Sequence, residues 1–264
     1  MKKSALRLFQ ITDSHCYSVD DRPLEWLKDQ AVYPNQTLQS VLAALRTNQQ
    51  PEHAAVIVSG DLVQEETAAS YQRCNQILNT FPLPVHVIPG NHDVPELMQA
   101  NLNGNIRYCE PVQLEGWQII LLDSSETDRE EGYLSGQQLA DLRQQLEVYP
   151  EKHALIFLHH HPVLVNSPWM DSMCLQAAEA FWDVVADFPQ VKAVFCGHLH
   201  QEFVGSACVG EQVVPVYGTP ATCVQLKLHT PTYMLDHIRP AWRDIALYPD
   251  GTVETQVHYL TLPA

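Results

Sequence analysis

"HVIPGNHDVP", residues 86–95, sets an amide, an imidazole and a carboxylate side by side where an apolar run surfaces. Residues 85–89 lead into Gly90, and Asn91, His92 and Asp93 follow without a gap. The other short apolar runs end in a similar way. Residues 6–11 lead into Asp13-Ser14-His15, and 54–58 into Gly60-Asp61. Residues 155–158 lead into His159-His160-His161, and 191–195 into Gly197-His198-Leu199-His200. A further run, 117–122, ends at Asp123 with no such partner, where capping is the simpler role. Several of these runs are continuous rather than alternating, as expected of strands covered on both faces.

Helical patterns lie between the runs. Leu38, Val41, Leu42 and Leu45 recur at i, i+3, i+4 and i+7. Ser135 and Gln138 form a capping box ahead of "QLADLRQQL", and Leu175, Ala178, Trp182 and Val185 make another stripe. Strands alternating with helices predict an α/β core. After His200 the chain turns strand-rich, and "WRDIALYPDGTVETQVHYL" reads as a hairpin closed around Pro249-Asp250-Gly251. A second sheet, or an extension of the first, is expected there. With no repeat, linker or low-complexity segment, residues 1–264 read as a single domain, strand-rich from about residue 201.

The formal charge of −16 argues against nucleic acid or an anionic membrane as the main partner, because both recruit basic surfaces. No run reaches membrane-spanning length, and "MKKSALRLFQITD" reads as a first strand rather than a signal peptide. Seven cysteines without a CxxC pair suit a reducing compartment, which predicts a cytoplasmic protein.

In α/β sheets the carboxyl ends of the strands form the ligand crevice. Five strand ends would therefore carry carboxylate, amide and imidazole donors to one edge. The i, i+2 spacing of Asp13/His15 and His198/His200 points each pair the same way in an extended chain. A lone Asp-x-His is common by chance, whereas all five groups in order are not. Imidazole mixed with oxygen donors and no thiolate suits iron, manganese or zinc. Asp13, His15, Asp61, Asn91, His198, His200 and one histidine of the 159–161 run are too many ligands for one ion. A bridging Asp61, one oxygen to each ion, divides them between two divalent ions, the standard device for hydrolysing phosphate esters.

These blocks resemble the calcineurin-like metallophosphoesterases, whose D-x-H, G-D, G-N-H-[DE], H and G-H-x-H motifs all have counterparts here. The resemblance implies a four-layer αββα sandwich of two mixed sheets flanked by helices. It assigns Asp13, His15 and His200 to one metal and Asn91, a histidine of the run and His198 to the other, with Asp61 shared. The family ligand stands two residues before the proline, here His160, and strand alternation aims His159 and His161 the opposite way. His92 resembles the family's catalytic histidine, which protonates the leaving alkoxide. Asp93 either orients His92 or stabilises the turn. His15, Asp61, Asn91, His92 and His200 are implied as phosphate contacts.

"GYLSGQQLADL", "LHHHP", "CGHLHQE" and the stretch from "TPATCVQLKLHTPTYMLDHIRP" onward look like the bacterial class III cyclic-AMP phosphodiesterases. This closer resemblance implies hydrolysis of 3′,5′-cyclic AMP, a small-molecule substrate, to 5′-AMP with two divalent ions, Fe2+ or Mn2+. The alternatives are a broad-specificity phosphodiesterase on the same site, or a non-catalytic scaffold that would be expected to have lost ligands. "GDLVQEE" lacks the Asp-Arg-Gly of the family's protein phosphatases. Cys16 and Cys196 read as small buried thiols, and Trp169, in the loop 166–171, as packing ahead of stacking on a purine.

Overall fold

In a computed structural model the described residues are 5–28 and 30–260. They build two six-stranded sheets and a two-stranded ribbon. Across the first sheet the order is Val253–Tyr259, Ala241–Leu247, Leu6–Ile11, His53–Ser59, Val85–Ile88 and Ile106–Tyr108. Across the second it is Val112–Leu114, Trp117–Leu121, His153–Phe157, Val191–Cys196, Gln212–Gly218 and Phe203–Val209. The strands that lead into the polar blocks run parallel to one another in each sheet.

Side-chain alternation sorts each strand between two apolar layers. In His53–Ser59, Ala55 and Ile57 face the second sheet, where they meet Ile119, Leu155, Phe157 and Phe195. Val56 and Val58 face outward, against Leu38, Val41, Leu42 and Leu45 of the helix Pro34–Asn48. The outer face of the second sheet packs Ile156 and Val194 against Leu142, Leu146 and Phe181 of the helices Gly136–Val148 and Ala178–Ala186. Helix, sheet, sheet and helix are thus the four layers expected.

The capping box forms as read: the Gln138 N–H donates to Ser135 Oγ at 3.3 Å and the Ser135 N–H to Gln138 Oε1 at 2.8 Å. One helix is shorter than its stripe. Leu175 precedes it, pairing with Gly132 across the chain, and Ala177 at φ 50° starts the helix only at Ala178. The strand-rich C-terminal part extends both sheets and adds the two-stranded ribbon Gln225–Leu226/Leu235–His237. The hairpin Phe203–Val209/Gln212–Gly218 widens the second sheet, whereas Ala241–Leu247/Val253–Tyr259 widens the first.

Candidate metal centre

The five polar blocks leave three strands of one sheet and two of the other, and they converge where the two sheet edges meet. Backbone bonds sew the loops together within each sheet, and a side-chain bond joins the two sheets. The Asp13 N–H donates to Gly60 O, the His15 N–H to Asp61 O and the Gly197 N–H to His159 O. The His198 N–H donates to Asp13 Oδ2 at 3.1 Å. Asp13, His15, Asp61, His198 and His200 all have φ between 47° and 65°. Each such residue costs on the order of 1 kcal/mol or more, and strain of this kind collects where function fixes the backbone. The i, i+2 pairs therefore converge through left-handed turns, not through strand alternation.

Two groups of donor atoms result. In the first, His15 Nε2 lies 3.1 Å from His200 Nε2, which lies 3.2 Å from Asp13 Oδ1. In the second, His159 Nε2 lies 3.2 Å from Asn91 Oδ1 and 3.3 Å from His198 Nδ1. Asp61 Oδ2 stands between them, 3.7 Å from His15 Nε2 and 3.5 Å from His159 Nε2. The expectation of one carboxylate oxygen per ion gives way here. The same oxygen faces both groups, because Oδ1 accepts the His92 N–H at 2.9 Å.

A second correction concerns the histidine run. His159, not His160, faces Asp61 and Asn91. The strand stops at Phe157, so the alternation that favoured His160 has already lapsed. His159 Nδ1 donates to the Ser59 carbonyl at 2.7 Å, which turns Nε2 inward. His160 Nδ1 pairs with Ser124 Oγ at 2.8 Å, while its ring sits 5.0 Å from that of His198. His161 lies 3.6 Å from Asp171.

The donor set fits a cation pair. Carbonyl oxygens accept only, so Nδ1 of His159 and of His200, the latter on Val224 O at 2.9 Å, carries a hydrogen, and Nε2 is the atom each ring turns toward the cluster. Ring nitrogens and carboxylate oxygens then crowd together at hydrogen-bonding distances, an arrangement that shared protons or a cation relieve. Electrostatics describe the same cluster without a cation: against burial, Asp61 holds His159 up at about 9 and Asp13 holds His200 well above the ordinary imidazole value, so a proton on each of these rings stands where a metal would. Burial would raise the Asp61 carboxyl, but the His159, His92 and His15 imidazoles hold it well below the usual carboxylate range. Asp13 is likewise lowered against burial, by His200. Burial, opposed by Asp61, pushes His15 down to about 3, and burial with His160 and His159 alongside pushes His198 well down. Both rings are thereby kept neutral and able to ligate. Asp13, His15, Asp61 and His200 bring their donor atoms within 4.8 Å of one another, as do His159, His160 and His198.

Asp93 braces loops rather than the His92 ring. Its carboxylate accepts the Leu62 and Gly90 N–H groups at 3.0 Å each and the Tyr71 hydroxyl at 3.2 Å. A buried polar chain also reaches the site from the C-terminal hairpin. Arg243 donates to Thr219, Thr219 to Gln10 Oε1, and Gln10 to Ser59 Oγ, next to the carbonyl that holds His159. No local motif marks Gln10, Thr219 or Arg243, which are assembled from distant strands.

The donor groups open into a cavity of about 590 Å³ that His15, Asp61, Asn91, His92, His198 and His200 line at its floor. Trp26, Trp169 and Tyr233 line it farther out, and of these the sequence singled out only Trp169. Cys16 and Cys196 are buried, and Asp123 accepts the Ser125 N–H and hydroxyl in a local turn. Among the described residues no helix is long and apolar enough to cross a membrane.

Known proteins resemble the chain closely. A 3′,5′-cyclic adenosine monophosphate phosphodiesterase of Vibrio vulnificus is 38% identical, over 98% of this chain and 92% of that protein. One of Escherichia coli is 37% identical, over 98% and 91%. A dimetal phosphatase of Danio rerio shares the fold at a TM-score of 0.64 and 16% identity, covering 93% of this chain and 94% of its own. The model of the calcineurin-like phosphoesterases matches residues 6–202, through all five polar blocks. The chain belongs to the calcineurin-like phosphoesterase family.

Proposed function

We propose that the chain is a metal-dependent phosphodiesterase that hydrolyses 3′,5′-cyclic AMP to 5′-AMP as one domain in the cytoplasm. The observation that carries this is the position of Asp61 Oδ2 between two donor groups. Asp13, His15 and His200 would hold one divalent ion, Asn91, His159 and His198 the other, with Asp61 shared. Such a pair, iron or manganese by its donors, would supply Lewis-acid activation of water and of the phosphate oxygens. The names of the Vibrio and Escherichia relatives support the substrate. Seven free cysteines suit a reducing compartment.

The chain's own residues do the rest. His92 lines the cavity floor, its ring centroid 5.0 Å from that of His15. From there its imidazole hands a proton to the departing ribose 3′-oxygen. Asp61 Oδ1 pins the His92 backbone and Asp93 fixes the loop beneath it, so the acid is in place before substrate arrives. His15, Asp61, Asn91 and His200 surround the phosphate.

The test is turnover of 3′,5′-cyclic AMP, 2′,3′-cyclic AMP and an aryl diester by iron- or manganese-loaded protein. Preference for the first, with 5′-AMP as sole product, is expected. Cleavage of the aryl diester without cyclic AMP turnover would leave the metal centre and refute the substrate.

A further inference from the structure

Three aromatic rings share the cavity with the donor groups. Trp26 and Tyr233 lie 5.7 Å apart, centroid to centroid, at 85°, and Trp169 and Tyr233 lie 6.1 Å apart at 76°. They come from three distant segments and form one cluster, with Met170, Met173 and Leu226 completing the apolar wall. Trp26 Nε1 donates to Gln64 Oε1 at 3.3 Å, so this indole is tethered to the loop that carries Asp61. Tyr233 is 46% exposed.

The wall is oddly made for packing alone. A cluster built only to fill a core would bury its central ring, yet Tyr233, the ring that both tryptophans touch, stays open. The space is also far larger than a phosphate needs, and it lies in the range of small-ligand sites. A flat, uncharged group joined to a phosphate by a short polar spacer fits this division: anion on the donor groups, aromatic face on the rings.

We propose that Trp26, Trp169 and Tyr233 form the seat of the substrate's nucleobase, and that this wall rather than the metal centre selects nucleotides from other phosphodiesters. The proposal rests on the phosphodiesterase reading above. Base-on-aromatic stacking sets the scale, at least about fivefold in affinity for each ring lost.

The experiment compares cyclic AMP with a 1-methoxy ribose 3′,5′-cyclic phosphate, which keeps the reacting group and lacks the base. Wild-type protein should show a KM for cyclic AMP at least about fivefold below that for the base-free diester. Trp169→Ala and Tyr233→Ala should narrow that gap, and Tyr233→Phe should keep it. Tryptophan emission should be quenched by 5′-AMP and unchanged by inorganic phosphate. Equal KM values in the wild type, or a gap that survives both alanine variants, overturn this inference alone. A wild-type protein that hydrolyses neither diester overturns the phosphodiesterase reading and the base seat together.

Discussion

His159 Nδ1 lies 2.7 Å from the carbonyl oxygen of Ser59, a residue at the end of a strand in the opposite sheet. That one bond chooses the ring's tautomer and aims Nε2 between Asn91 and Asp61. It also separates His159 from its neighbour His160, which is committed to Ser124.

The first expectation follows from this difference. His159→Ala should lose one of two bound ions and more than about 100-fold in turnover, exceeding the usual cost of an outer partner. His160→Ala should keep both ions and lose about 10–100-fold at most. Metal content by mass spectrometry, read beside turnover, checks it. Equal metal loss in both variants would return His160 to the ligand set.

His92→Ala should retain both ions, since the residue touches Asp61 through its backbone N–H. Its turnover of cyclic AMP should fall about 10²–10⁴-fold. A diester with a 4-nitrophenolate leaving group needs little protonation and should suffer far less. Identical losses on both substrates would remove His92 from the role of acid.

Gly60 sits at φ 100°, and an added Cβ there would run into the His159 ring and reach 3.0 Å from Gly90 Cα. Gly60→Ala combines left-handed strain with this clash, so a loss of about 1–3 kcal/mol is expected, together with weaker metal retention. Urea unfolding followed by metal analysis tests both halves. An unchanged midpoint would show that the loop yields freely.

Removing the ions with a chelator should destabilise the protein. Binding at 100 times Kd is worth about 2.7 kcal/mol per site, and five residues with left-handed backbone lose their compensation. Melting should fall on chelation and recover on adding Mn2+, whereas indifference to chelator would contradict a metal centre.

Asp20 offers a pH test away from the centre. Its hydrogen bond with Arg73 holds its carboxyl at about 2, below the ordinary 3.8. A depressed carboxyl contributes stability that is present above about pH 4 and lost as pH falls through about 2. Asp20→Asn should therefore be less stable than wild type at pH 6, with the difference shrinking below pH 4. A constant difference in urea midpoint from pH 6 to pH 3 would count against the ion pair.

Much of the centre was legible because its chemistry is local. Asp13, His15, Asp61, Asn91, His198 and His200 follow apolar runs at short, fixed offsets, and the sheet carries those offsets to one place. Periodicity gave the helix Pro34–Asn48 and the Ser135/Gln138 cap for a like reason, since each depends on neighbours within one or two turns.

By itself the amino-acid sequence showed the main strands of an α/β core and the donors that five of them end in, a cluster suited to cations, and its resemblance to a known family implied two sheets flanked by helices. Tertiary structure alone decided which of three adjacent histidines faces that cluster, that one oxygen of Asp61 serves both groups, and that Trp26 and Tyr233 meet Trp169 above it. Those outcomes hang on where a strand stops and on partners tens to hundreds of residues away. The Ser59 carbonyl that sets His159 is itself 100 positions distant, beyond any local period.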